Sequence, residues 1–179
     1  MENKTFKKIL DFLEKEENKM PRDKGSFKWK VIFNELTYDE LNINGNLELS
    51  YTKVTSLPEG LRVKGWVNLM GCLAIVSLPE GLEVGDYLSL ASSNIESLPK
   101  GLKVGGNLNL RNSKIKNIPD DIEIGGSLYL QKTKITSLPK GLIIKGYLVL
   151  NSNDSLSKFS NAELKEMVKP GFIKGILRE

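Results

Sequence analysis

Apolar residues recur in one fixed order along most of the chain. From Asn107 to Gly126 the order reads NLNLRNSKIKNIPDDIEIGG: Leu-x-Leu, a β-branched residue five positions later, Ile-Pro three after that, then Ile-x-Ile and a glycine exit. Asn46–Gly65, Trp66–Asp86, Tyr87–Gly106 and Ser127–Gly146 repeat it, giving five full copies, the second with one extra residue near Leu73. Alternation within Leu-x-Leu predicts a strand with two residues inward. A period of about twenty residues predicts a solenoid, in which a single repeat cannot bury its apolar face and stacked neighbours supply the core.

Aligning the copies turns sequence into columns. Leu47/Leu49, Val67/Leu69, Leu88/Leu90, Leu108/Leu110, Leu128/Leu130 and Leu148/Leu150 are expected to point inward on parallel strands about 4.8 Å apart. Pro58, Pro79, Pro99, Pro119 and Pro139 fall where no ladder N–H is needed. Gly60, Gly81, Gly101 and Gly141 fit a position with φ above zero, and Asp121, which breaks the column, tolerates that region. The paired glycines 105–106 and 125–126 read as corners rather than phosphate loops.

The ends depart from the repeat. Residues 4–18 place Phe6, Ile9, Leu10 and Leu13 on one helical face, and Phe27, Trp29 and Phe33 follow as an aromatic plug. Leu41–Gly45 matches the tail of a degenerate repeat. Ser160-Asn-Ala-Glu163 is a capping box that opens a helix ending by Pro170-Gly171, and the segment from Gly171 to Leu177 returns to the repeat register. The expected organisation is residues 1–40 as an N-terminal helical and aromatic cap, 41–153 as the solenoid, and 154–179 as a C-terminal helix and last coil, one structural domain overall.

Three residues past the second Leu stand Thr52, Cys72, Ser93, Ser113, Thr133 and Asn153. With Leu-x-Leu before them and Val54, Ile75, Ile95, Ile115 and Ile135 after them, the repeat resembles the Leu-x-Leu-x-x-Asn/Cys-x-Leu signature of leucine-rich repeats. The Leu-Pro further on resembles the short bacterial class found in secreted effectors and in small proteins of bacteria and tailed phages. The resemblance implies a structural ladder at these six positions, in which an Asn side chain bonds backbone groups of neighbouring coils. Ser and Thr mostly replace Asn here, which predicts a weaker ladder. The large effectors also carry a ubiquitin-ligase domain with a nucleophilic Cys, for which 179 residues leave no room.

Composition narrows the chemistry. There is no histidine, which removes Ser-His and Cys-His nucleophiles, and one cysteine, Cys72, which excludes an intramolecular disulfide and a Cys-based metal cluster. The formal charge is +4, three of it in the first thirty residues, where nine basic side chains face six acidic ones. A nearly neutral array lacks the basic face that a nucleic-acid groove needs. The N-terminus lacks a signal peptide's apolar run and no stretch is long enough to span a membrane, so a cytoplasmic monomer without cofactor or metal is expected.

What remains is the outward face. Trp66, Met70, Tyr87, Asn109, Arg111, Tyr129, Gln131 and Tyr147 are expected to face solvent on the Leu-x-Leu sheet, and aromatic clusters of this kind anchor interfaces. Lys114, Lys116, Lys132 and Lys134 form a basic edge on repeats four and five, with no acid among them. Arg62, Glu83, Lys103 and Glu123 alternate in sign on the opposite side, as a salt-bridge ladder would. The expected function is a non-catalytic scaffold that binds another protein through the sheet's outer face, in a phage or bacterial setting a modulator of a host protein. The alternative is nucleic-acid or anion binding through the basic edge.

Overall fold

Residues 41–151 and 154–179 are described by the computed structural model, and over them each repeat is one turn of a parallel β-solenoid. Every coil carries two short strands, one before and one after a glycine corner. In chain order these are β1 (Asn42–Ile43) and β2 (Leu47–Glu48), β3 (Arg62–Val63) and β4 (Val67–Asn68), β5 (Glu83–Val84) and β6 (Leu88–Ser89), β7 (Lys103–Val104) and β8 (Leu108–Asn109), then β9 (Glu123–Ile124) and β10 (Leu128–Tyr129). The sixth coil is different: β11 (Ile143–Leu150) runs unbroken through the corner, and β12 (Phe172–Arg178) pairs with it.

The strands form two ribbons, β1-β3-β5-β7-β9 and β2-β4-β6-β8-β10, both paired in parallel and both ending on β11. Because one continuous strand serves both, the ribbons adjoin at the corner. Arg62, Glu83, Lys103 and Glu123 therefore lie on the adjoining ribbon, not on an opposite side. The sequence pattern pointed to one sheet because only Leu-x-Leu alternates over enough residues to read as a strand. Strands of both ribbons are two residues long in each of the first five coils, and those of the first ribbon from the second coil on carry one buried residue each, Val63, Val84, Val104 and Ile124, with no second apolar partner to mark the alternation.

Stacking at the corner leaves no room for a side chain at Gly105 or Gly125. A Cβ on Gly105 would stand 2.1 Å from the Gly85 carbonyl oxygen, and one on Gly125 would stand 2.0 Å from that of Gly105. The corner amides complete the ladder, with Gly106 N–H donating to Asp86 O at 3.0 Å and Gly126 N–H to Gly106 O at 2.8 Å. A second set of backbone positions needs the left-handed region. Gly60, Gly81, Gly101 and Gly141 have φ of 65° to 82°, and Asp121 joins them at 66°, as their column predicts.

The paired apolar residues of Leu-x-Leu fill the interior. All twelve are buried, together with Val54, Ile75, Ile95, Ile115 and Ile135 from the return side of each coil. Residues twenty apart thus supply one another's core, which is why no single repeat would hold its shape alone.

At the C-terminal end a 3-10 turn (Ser155–Lys158) leads into helix α1 (Asn161–Met167). The capping box is present: Ser160 Oγ accepts the Glu163 N–H at 3.2 Å and Glu163 Oε2 accepts the Ser160 N–H at 2.7 Å. Leu164 and Val168 are buried in the core cluster. β12 then repeats the β11 register with one residue fewer at the corner, Ile144 opposite Ile173 and Tyr147 opposite Gly175. The expected helix at residues 4–18, the plug of Phe27, Trp29 and Phe33, and the ladder residue Asn153 lie outside the described residues.

Candidate interaction surface

The ladder position works within each coil. Thr52, Ser93, Ser113 and Thr133 each donate a side-chain hydroxyl to the carbonyl three residues back, that of Leu49, Leu90, Leu110 and Leu130, at 2.6 to 2.7 Å. The same carbonyls accept the backbone N–H of the same residues. This is a correction to the inter-coil ladder that the leucine-rich-repeat resemblance implies. Each of these hydroxyls closes its own turn, and among them Thr52 also reaches the next coil, its Oγ1 lying 3.7 Å from Cys72 Sγ. Cys72 is the exception among the described members, its buried thiol donating to Leu49 O one coil earlier at 3.0 Å. Burial raises its pKa, the Thr52 hydrogen bond opposing, so the thiol is held in its protonated, unreactive form.

These turns have a second signature. The residue before each ladder position has positive φ: Tyr51 at 57°, Gly71 at 68°, Ser92 and Asn112 at 55°, Lys132 at 59°. Gly71 and Asn112 were the residue types that could have shown this column in the sequence. The turn throws Tyr51 outward, 54% exposed, with its ring lying across Gly71 so closely that a Cβ there would stand 2.4 Å away. Tyr51 belongs on the candidate surface beside Met70, to whose carbonyl its N–H donates.

Inter-coil side-chain bonds run instead up the column just before the second ribbon. Asn46 Oδ1 accepts Trp66 N–H at 3.1 Å, Asn107 Oδ1 accepts Ser127 N–H at 2.7 Å, and Ser127 Oγ accepts Tyr147 N–H at 2.9 Å.

The predicted contact residues fall into three groups. Trp66 and Met70 are half-buried on the second coil, near Tyr51. Tyr87 and Asn109 are joined, Asn109 Nδ2 donating to Tyr87 Oη at 2.9 Å. Arg111 lies 4.7 Å from the Tyr129 ring centre, donates to Gln131 Oε1 at 2.9 Å and pairs with Glu179 at 3.2 Å, while Gln131 also donates to Glu179 at 3.0 Å. Gln131 is buried by these partners, so it is a tie within the surface and not a free contact. Ser89, Ala91 and Val149, which alternate outward, are buried as well. Tyr147 stands 42% exposed four coils beyond Trp66, about 19 Å along the axis, its ring resting on Gly175.

The basic edge is not free of acid. Glu96, one coil earlier, meets Lys116 at 2.8 Å. That hydrogen bond, then the charge of Lys116 and more weakly those of Lys114 and Lys134, hold the Glu96 carboxyl below its usual range. Lys114, Lys132 and Lys134 are exposed, and the Lys132 backbone N–H is taken by Asp154. On the first ribbon Glu83 pairs with Arg62 at 3.5 Å and Lys103 at 3.2 Å, and Glu123 pairs with Lys145 at 2.6 Å. A cleft of about 360 Å³ lies beside them, floored by Gly85 and Gly105. Exposed pairs of this kind align coils more than they stabilise them.

Among the described residues no cluster of Cys, Asp and Glu could hold a metal ion, and no helix is long and apolar enough to cross a membrane. No family profile matches the chain, and no curated protein or solved structure matches it significantly. The solenoid assignment therefore rests on the repeat and the coordinates.

Proposed function

We propose that this protein is a non-catalytic scaffold of the short leucine-rich-repeat type that binds another protein through the outer face of its second ribbon. The observation that carries this reading is the placement of Tyr51, Trp66, Met70, Tyr87, Tyr129 and Tyr147 outside a core already filled by Leu-x-Leu. Aromatic side chains turn about only two bonds and lose little entropy when they are covered, which is what interface anchors require. In a phage or bacterial cytoplasm such a surface would serve to occupy a host protein. The alternative of an anion-binding edge is weakened by Glu96, which already neutralises Lys116.

The test is a crosslinking pull-down from the native host with the wild-type chain, Trp66→Ala and Tyr147→Ala. A partner retained by the wild type and lost by either variant, with circular dichroism unchanged, supports the reading. Equal recovery by all three, or capture abolished only by Lys114→Glu with Lys134→Glu and by salt, contradicts it.

A further inference from the structure

The outer face of the second ribbon already holds a carboxylate. Glu179 Oε2 accepts from Arg111 Nη2 at 3.2 Å and from Gln131 Nε2 at 3.0 Å, so two donors on neighbouring coils converge on one oxygen. Arg111 stands on the fourth coil and Gln131 on the fifth, whereas Glu179 follows β12, 68 and 48 residues away in sequence. Arg178, the residue before it, stands opposite Leu150 of β11. The Glu179 side chain therefore reaches back over the sixth coil to meet them.

The two donors do not owe their position to Glu179. Arg111 Nε donates to Gln131 Oε1 at 2.9 Å, which fixes the guanidinium and the amide to each other. The guanidinium lies 4.7 Å from the Tyr129 ring centre, and the Arg111 backbone N–H donates to Asn109 Oδ1 at 3.1 Å. Asn109 is held in turn by Tyr87 Oη at 2.9 Å. Gln131 is only 6% exposed, so this is a set fixture and not a mobile surface charge. A guanidinium held through Nε and backed by a ring presents its outer nitrogens in a fixed direction. A receptor formed before its ligand arrives loses least on binding.

Glu179 is held lightly by comparison. Its side chain is 60% exposed and that of Arg111 41%. Side-chain entropy and solvent screening bring an exposed pair of this kind close to break-even.

We infer that Arg111 and Gln131 form a receptor for an aspartate or glutamate side chain of the protein partner, which takes the place of Glu179. The inference rests on the proposed reading of the second ribbon as a protein-binding face, and it adds the chemistry of one contact. The class of ligand follows from what the site offers. Two donors and a positive charge face the ligand, and the Gln131 oxygen is taken by Arg111 Nε. An ammonium or guanidinium would meet repulsion there, and a carboxylate meets both donors. Glu179 is a placeholder that satisfies the donors while the face is free and competes with the partner for them.

The experiment titrates the full chain with an acetylated, amidated hexaglutamate peptide, following the Arg111 Nε–H and the Gln131 side-chain amide by nuclear magnetic resonance. Both signals are expected to move. Glu179→Ala is expected to tighten binding by about two- to sixfold, the gain when a weak exposed pair no longer competes. Adding Arg111→Lys keeps the charge but loses the guanidinium fork, and is expected to reverse that gain. The same peptide with Gln in place of Glu is expected to leave both signals unmoved. Equal affinity of the wild type and Glu179→Ala, binding undiminished by Arg111→Lys, or shifts confined to Lys114, Lys132 and Lys134 overturns the inference. No host partner takes part in the titration, so its failure sinks the receptor and leaves the aromatic face to the Trp66 and Tyr147 pull-down.

Discussion

Asn107 Oδ1 accepts the backbone N–H of Ser127, one coil further on, at 2.7 Å. A side chain on the outer surface thereby ties one coil to the next, where alternation alone would read it as free for a partner. Replacing it leaves a corner amide without that acceptor. Asn107→Ala should lower stability by about 1 kcal/mol in chemical denaturation, and Asn107→Asp, which keeps the acceptor, by less. Equal losses would mean that the bond does not contribute.

The corner and the left-handed turn make opposite demands on glycine. Gly105→Ala would press a methyl against the Gly85 carbonyl, 2.1 Å away, so the coils must separate. Gly101→Ala has open space and suffers only the strain of φ near 65°, about 1–2 kcal/mol. Thermal unfolding should rank Gly105→Ala well below Gly101→Ala, with Asp121→Gly at or above wild type, since it relieves the same strain in the one column member with a side chain.

Three exposed carboxyls are held below their ordinary pKa. Glu96 is lowered by the Lys116 hydrogen bond, Glu123 by that of Lys145, and Glu163 by the Ser160 backbone N–H and then its side chain. A depressed carboxyl pKa contributes stability above the unfolded value, near 4.5, and that contribution is lost as pH falls through the lower folded value. Carbon-detected titration should place all three midpoints below 4.5, and Lys116→Ala should return Glu96 toward it without moving Glu123. A Glu96 midpoint indifferent to Lys116 would contradict the pairing.

Cys72 offers a probe of local opening. Its thiol is buried and donates to Leu49 O across the first two coils. Alkylation in native buffer should be slow and should accelerate in parallel with global unfolding by denaturant. Fast labelling of the native protein would show that these coils separate on their own.

Most of the fold was legible because it is written by periodicity. Leu-x-Leu, the return-side β-branched residue and the φ-positive glycine column recur often enough that stacking is their one common explanation, and the Ser160–Glu163 capping box marks the helix start without tertiary information. The first ribbon was missed because Arg62–Val63 and its equivalents carry one buried residue each and so show no alternation. The candidate surface was less legible, since alternation says which way a side chain leaves the backbone and nothing about what later covers it. Gln131 points outward and is buried by Glu179, 48 residues away. The Lys116 edge looked unpaired because its acid, Glu96, lies one coil back in the same column. Tyr51 carries no strand alternation in the sequence because a turn, with φ of 57°, aims it outward.

Every surface described depends on residues one coil apart standing side by side in register. Backbone nuclear Overhauser effects between the pairs Asn68/Ser89, Ser89/Asn109 and Asn109/Tyr129, set opposite each other in parallel strands, test this most directly. A continuous parallel ladder of such contacts, mirrored in Arg62/Glu83, Glu83/Lys103 and Lys103/Glu123, is the predicted result. Antiparallel contacts, or long-range contacts that fail to advance by one repeat at each step, would contradict the account.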